Sequence, residues 1–206
     1  MDNNQIINLD SDTDNSEYSD AGPPSATHVA NVSWIRAETK EDSIVSLKLK
    51  VFGQPKVLRR HQTMLRNGRV HVYNPSRADK VAFAFKVRVL LNAAKIFERT
   101  VFEKEHLKAE AFFAMPRPLS HFLGNNPANA LRSTAPSFFV KSAGDTDNFL
   151  KNLLDPTEDV IFDNDRRVET LKTTKFYAKG REGYTVVTYS KISSADVCAI
   201  VRYCNN

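Results

Sequence analysis

Two stretches of strict alternation restrict the fold more than any other feature of the chain. Val45, Leu47, Leu49 and Val51 interleave with Ser46, Lys48, Lys50 and Phe52, and Leu107, Ala109, Ala111, Phe113 and Met115 repeat the period until Pro116 and Pro118 halt it. A period of two puts one set of side chains on one face of a strand, so each run needs cover on that face. Further strands are expected at 29–35, 166–177 and 184–192, the last two joined through Gly180 and Gly183. Between Pro55 and Pro75 a basic loop or hairpin is expected to turn at Asn67-Gly68. Ser76-x-x-Asp79 has the form of a capping box, after which Ala82, Phe85, Val89, Ala93 and Ile96 recur at helical spacing. Ser193-x-x-Asp196 is expected to cap a closing helix with Val197, Ile200 and Val201. These elements add up to an α+β domain, a small mixed β-sheet flanked by helices.

The chemistry concentrates between Gly144 and Val168. Read as a helix, 147–155 gathers Phe149, Leu150, Leu153 and Leu154 on one arc, while Asp147, Lys151 and Asp155 line the opposite arc. Pro156 is expected to cut this helix short. Asp145 stands in the turn leading in, beside Asn148 and the helix N-terminus, and Asp163 and Asp165 follow in a second acidic turn. Clustered carboxylates repel one another unless a cation lies between them, and an oxygen-only set suits Mg²⁺ with water and phosphate oxygens. That is the makeup of a metal-dependent phosphodiesterase site. The simpler account makes each acid an N-cap, a dipole partner or half of an Asp147–Lys151 ion pair; it does not explain Asp145 and Asp147 together. A calcium loop is excluded, because Phe149 and Leu150 stand where a ligand and a glycine are required. A phosphatase nucleophile is disfavoured because Lys141-Ser142-Ala143-Gly144 interrupts any strand leading into Asp145.

The run Asp-x-Asp-Asn-(apolar)-x-Lys-(three residues)-Asp, followed by an Asp-rich turn into Val168, resembles the RusA-type Holliday junction resolvases. The similarity extends to Gly53-Gln54-Pro55-Lys56 with Arg59-Arg60, to Gly68 through Tyr73-Asn74-Pro75, and to Pro116-Arg117-Pro118-Leu119-Ser120-His121-Phe122, covering about 44–191. It implies a Mg²⁺-dependent endonuclease that cuts four-way DNA junctions in recombination and repair, leaving 5′-phosphate and 3′-hydroxyl ends. The catalytic carboxylates would fall on Asp145, Asp147 and Asp165, all three holding the metal, and the catalytic lysine on Lys151. Asp155, Asp163 and Asn148 would take secondary places. Whether Asp163 or Asp165 supplies the third carboxylate stays open, with spacing favouring Asp165. Ala143-Gly144 departs from the family's pattern, in which a proline often precedes the first aspartate, and Asn164 and Arg167 replace an Asp and a Gln. The alternative is a catalytically lapsed or accessory DNA-binding protein of the same fold.

Charge supports a polyanionic partner. Residues 1–27 hold six acids and no Lys or Arg, so the body, 28–206, sets 29 basic residues against 18 acidic ones, a net charge of +11. Eleven Lys and Arg against Asp79 alone fall between Lys48 and Arg88. Lys56, Arg59, Arg60, Arg66 and Arg69 in the loop, with Arg117, Arg166 and Arg167, are the expected DNA contacts; His121 could also reach DNA, whereas His106 reads as structural. Two sites for the two strands of a pseudo-symmetric junction suit a homodimer. Residues 1–27 read as a disordered acidic tail and 28–206 as the nuclease domain. Within the tail, Ile6–Asp12 is similar to short motifs that add a strand to SUMO-type modifiers, though an ordinary tail is the simpler account. No run is long and apolar enough for a membrane span and no secretory signal is evident. Cys198 and Cys204 are placed to avoid each other on a helix, so an intracellular, reducing compartment is expected, nucleus and cytoplasm both open.

Overall fold

The computed structural model describes residues 5–8, 33–41, 43–96, 100–139 and 144–198. Its strands are β1 (Gln5–Asn8), β2 (Trp34–Lys40), β3 (Ser43–Phe52), β4 (Gln62–Arg66), β5 (Arg69–Tyr73), β6 (Leu107–Met115), β7 (Val168–Tyr177) and β8 (Tyr184–Lys191), and its long helices are α1 (Arg77–Ala93) and α2 (Thr146–Thr157). The main sheet has six strands in the order β1-β2-β3-β8-β6-β7, and β4-β5 form a separate hairpin. Among these strands only β6 and β7 pair in parallel. Parallel neighbours need a crossover connection, and α2 lies within it. The α+β expectation is met.

The alternating runs do what their period requires. Leu47, Leu49, Val51, Leu107, Ala109, Ala111 and Phe113 are buried, with Val187 and Tyr189 of β8 between them. Helix α2 covers this face with Phe149, Leu153 and Leu154, the Phe149 ring lying 5.3 Å from that of Phe113. Each large side chain removed from water here contributes about 1.5–3 kcal/mol. At the other end of α2 the Thr157 hydroxyl sits 3.0 Å from that of Tyr189, and Val160, Ile161 and Phe162 close the core. α2 therefore runs along the strands, with its N-terminus toward Phe113 and its C-terminus toward Leu107.

Several expectations are corrected. Helix α1 buries Val87, Leu90 and Leu91, and leaves Phe85 67% and Val89 42% exposed, so the periodic stripe read from the sequence is not the core face. Ser76 makes no capping bond to α1; its hydroxyl instead accepts from the Arg59 backbone N–H at 2.8 Å. Pro156 lies inside the last turn of α2, which ends at Thr157. β7 and β8 form where the two strands joined through Gly180 and Gly183 are expected, and β6 lies between them, pairing with both. The strand expected at 29–35 begins at Trp34 among the described residues. The Asn67-Gly68 turn is present, both residues at positive φ, and Ser193 and Asp196 exchange capping hydrogen bonds. Of the acidic tail, the described part is Gln5–Asn8, whose backbone pairs antiparallel with Trp34–Ala37. This pairing uses the strand-forming part of Ile6–Asp12 within its own chain; Leu9–Asp12 lie outside the described residues. No helix among the described residues is long and apolar enough to cross a membrane.

Candidate active site

Helix α2 fixes the first two acids because its apolar arc is buried against the sheet. Asp145 is the N-cap residue; its carbonyl accepts from the N–H groups of Asn148 and Phe149, while its side chain makes no capping hydrogen bond. Asp147 follows in the first turn and Lys151 one turn later, all three exposed. None of the ion pairs among the described residues includes Asp145, Asp147, Asp165 or Lys151. The two ordinary uses of such residues, a side-chain cap and an i,i+4 ion pair, are therefore not made. The carboxylates stand at the positive end of a helix dipole, which lowers the cost of bringing negative charge together there.

Three contacts hold this corner. Gly144 has φ +121°, which proline cannot adopt because its ring fixes φ near −65°; the departure from the family's usual proline thus has a backbone cause. The Lys175 ammonium on β7 donates to the Gly144 carbonyl at 3.0 Å. The basic loop docks on the same helix: Leu58 N–H donates to the Asn148 carbonyl at 3.1 Å, and the buried Asn152 amide donates to the Lys56 carbonyl at 3.0 Å. Lys56, Arg59 and Arg60 are exposed on this docked loop, and Arg66 and Arg69 face each other across the hairpin turn. Like charges directly opposite disfavour a hairpin unless an anion bridges them. Neither Lys175 nor Asn152 is among the site residues expected from the sequence: each takes its role from a contact with a segment distant in sequence.

The second acidic turn lies elsewhere. Lys175, next to Gly144, stands seven residues along β7 from Val168, roughly 20 Å at about 3.3 Å per residue. Asp163 and Asp165 precede Val168, beyond the C-terminal end of α2. The structure thus brings together Asp145, Asp147, Asn148 and Lys151, and does not bring Asp163 or Asp165 to them within one chain. Asp163 pairs with Arg167 at 2.7 Å, and Arg167 also donates to the Lys104 carbonyl at 2.9 Å, so each already has a partner within the chain. Asp155 pairs with Lys80 of α1 rather than with Lys151. Arg117 is corrected as well: it is 6% exposed and donates to the carbonyls of Ala178 at 2.8 Å and Pro136 at 2.9 Å, tying the 116–139 segment to the end of β7. His121 packs edge-on against Tyr177 at 4.8 Å, and His106 meets Glu169 at 2.8 Å, a structural use. Arg166 and Asp165 remain exposed.

Among the described residues no three His, Cys, Asp or Glu side chains converge as a metal site. What fits a hard divalent cation is the Asp145–Asp147 pair, oxygen-only and exposed. Mg²⁺ is commonly held by one or two carboxylates and completed by water and phosphate oxygens.

The sequence matches the family model of Endodeoxyribonuclease RusA over residues 53–187. It is also 25% identical over 134 residues to the uncharacterized protein YqaN of Bacillus subtilis (strain 168), a match that covers 65% of this chain and 89% of YqaN. The matched span takes in the basic loop, both helices, the acid pair and the second acidic turn, and the chain belongs to the RusA family of endodeoxyribonucleases, which bind branched DNA and resolve Holliday junctions.

Proposed function

We propose that the protein is a Mg²⁺-dependent endonuclease that resolves four-way junctions in DNA recombination and repair, working as a homodimer. The observation that supports this best is an exposed acid pair with no structural task, held at a helix N-terminus onto which a basic loop docks. Asp145 and Asp147 would hold the cation, which when bound supplies Lewis-acid activation of water and phosphate. Lys151, one turn on, offers a positive charge to the phosphate oxygens as they gain charge. Lys56, Arg59, Arg60, Arg66 and Arg69 bind backbone phosphates, an interaction that positions the strand without reading its sequence. Two scissile strands related by pseudo-symmetry require two such sites, hence two copies.

The separation of Asp165 from the pair favours, on its own, a lapsed nuclease that retains DNA binding. A single experiment separates the readings. Purified protein is given a synthetic four-way junction or linear duplex with Mg²⁺, alongside Asp145→Asn, Asp163→Asn and Asp165→Asn. Junction-selective cutting that Asp145→Asn abolishes supports the enzyme; binding without cutting under every divalent cation supports the lapsed form. Inactivity of Asp163→Asn but not Asp165→Asn would assign the third carboxylate to Asp163.

A further inference from the structure

Alternation along the strands of the main sheet leaves a second face, turned away from α2, that the core does not use. The registers carry one row straight across it. Phe52 lies opposite Tyr184, Tyr184 opposite Ala114, Ala114 opposite Phe176, and Phe176 opposite Phe138. Four of these five positions are aromatic, over strand-to-strand steps of about 4.8 Å, a span of roughly 19 Å. Both long helices pack on the opposite face. Phe52, Tyr184 and Phe176 are accordingly only half-buried, and Phe138 is 67% exposed. The Tyr184 and Phe176 ring centroids are 6.5 Å apart although two strand spacings separate their backbones, so the rings close over the buried Ala114. The Lys50 ammonium lies 4.6 Å and 4.3 Å from the Phe52 and Tyr184 centroids, a cation already seated among the rings. Lys48 on the same face is exposed, as are Lys179 and Arg181 in the loop between β7 and β8.

We infer that this row is a stacking platform for the unpaired bases of a DNA strand. Every base has a π-face, so aromatic rings hold successive bases without regard to sequence while neighbouring cations track the backbone. The cations match that backbone: none of the ion pairs among the described residues includes Lys50, and burial lowers its pKa, so its charge lacks the counter-ion that a phosphate would supply. The row also adjoins the acid pair. Phe176 follows Lys175, which donates to the Gly144 carbonyl beside Asp145. Phe52 precedes Gly53, where the basic loop begins and whose N–H donates to the Gly183 carbonyl at 3.0 Å. Rings and acids thus lie at the same end of the sheet on opposite faces, and a strand leaving the acids reaches the rings around that end. That the strand belongs to an opened junction rests on the proposed function; the stacking itself does not.

The test is a fluorescence-anisotropy titration of the full chain, without divalent cation so that nothing is cut, against a short oligo-dT and an abasic strand of the same length and charge. Phe138→Ala and Tyr184→Leu are compared with the parent. Phe138 is exposed, leucine at 184 keeps apolar cover over Ala114, and circular dichroism checks both folds. The parent should bind oligo-dT at least about 10-fold more tightly than the abasic strand. Each variant should lose at least about 5-fold in oligo-dT affinity and keep its affinity for the abasic strand. Equal binding of the two strands by the parent overturns the inference, as do variants that keep the parental preference. Weakening toward both strands alike also overturns it, because that reports structure or charge rather than stacking. Junction cutting with Mg²⁺ is assayed apart. A base preference without cutting leaves the platform standing and defeats the proposed function, and cutting without a base preference does the reverse.

Discussion

Replacing Gly144 with alanine should disable the acid pair without touching a carboxylate. The residue's φ of +121° is one that side-chain-bearing residues rarely adopt, and a Cβ there would approach Val57 Cγ1 at 2.0 Å, Val57 Cβ at 3.1 Å and Val57 Cγ2 at 3.4 Å. Holding a residue in such a backbone region costs about 1–3 kcal/mol, and overfilling a packed contact adds a similar ~1–3 kcal/mol. The corner can lower that cost only by moving, and Asp145 is the next residue, so cutting should fall as stability does. Val57→Ala removes the two nearest methyls but leaves the Cβ contact and the backbone strain. The double mutant should therefore recover the overlap alone, a coupling of about 1–3 kcal/mol between the two positions. The assay is urea unfolding of all four proteins of the cycle, with single-turnover cutting of a four-way junction on the same samples. A Gly144→Ala protein within about 0.5 kcal/mol of the parent, or no coupling to Val57, would refute the reasoning.

Lys151→Ala should leave stability nearly unchanged, because Lys151 makes no ion pair with Asp147, yet lower single-turnover cutting by about 100-fold or more with a smaller change in junction affinity. Arg59→Ala with Arg60→Ala should weaken junction binding across all sequences and reduce the salt slope by roughly one for each phosphate no longer bound, measured by binding titrations at several salt concentrations. Deleting residues 1–27 removes six acids and the edge strand β1, so junction binding should tighten at low salt and the gain should vanish near 0.5 M, about where screening is complete. Equal binding at low salt would show that the tail does not compete for the basic face.

Local periodicity was a reliable guide wherever one face alone could be buried. β3 and β6 carry a single apolar set each, and both are strands with that set inside. Helix α2 likewise has one apolar arc, so burial of Phe149, Leu153 and Leu154 and exposure of Asp147, Lys151 and Asp155 followed from spacing. Helix α1 carries two apolar stripes, and nothing local distinguishes Val87, Leu90 and Leu91, which meet the core, from Val81, Phe85 and Val89, which do not. The choice is made by what the helix packs against. Strand order was equally out of reach, since β8 enters between β3 and β6 only through pairings remote in sequence. The site shows the same division. The acid pair and Lys151 lie on one helix and were legible as a unit, whereas the place of Asp165 depends on β7 starting at the C-terminal end of that helix and running back toward its N-terminus. Arg117 read as a DNA contact because charge is visible in sequence and burial against the Ala178 and Pro136 carbonyls is not.

The acid pair's role is tested most directly by Asp147→Asn against the parent, with junction binding and Mg²⁺-dependent junction cutting measured on the same preparations. The substitution removes one formal charge from the acid pair and preserves side-chain volume at an exposed position. Binding rests on the basic loop and should stay within a few-fold of the parent, while cutting should fall by about 100-fold or more. Cutting at the parental rate would contradict the claim that Asp145 and Asp147 form the catalytic metal site.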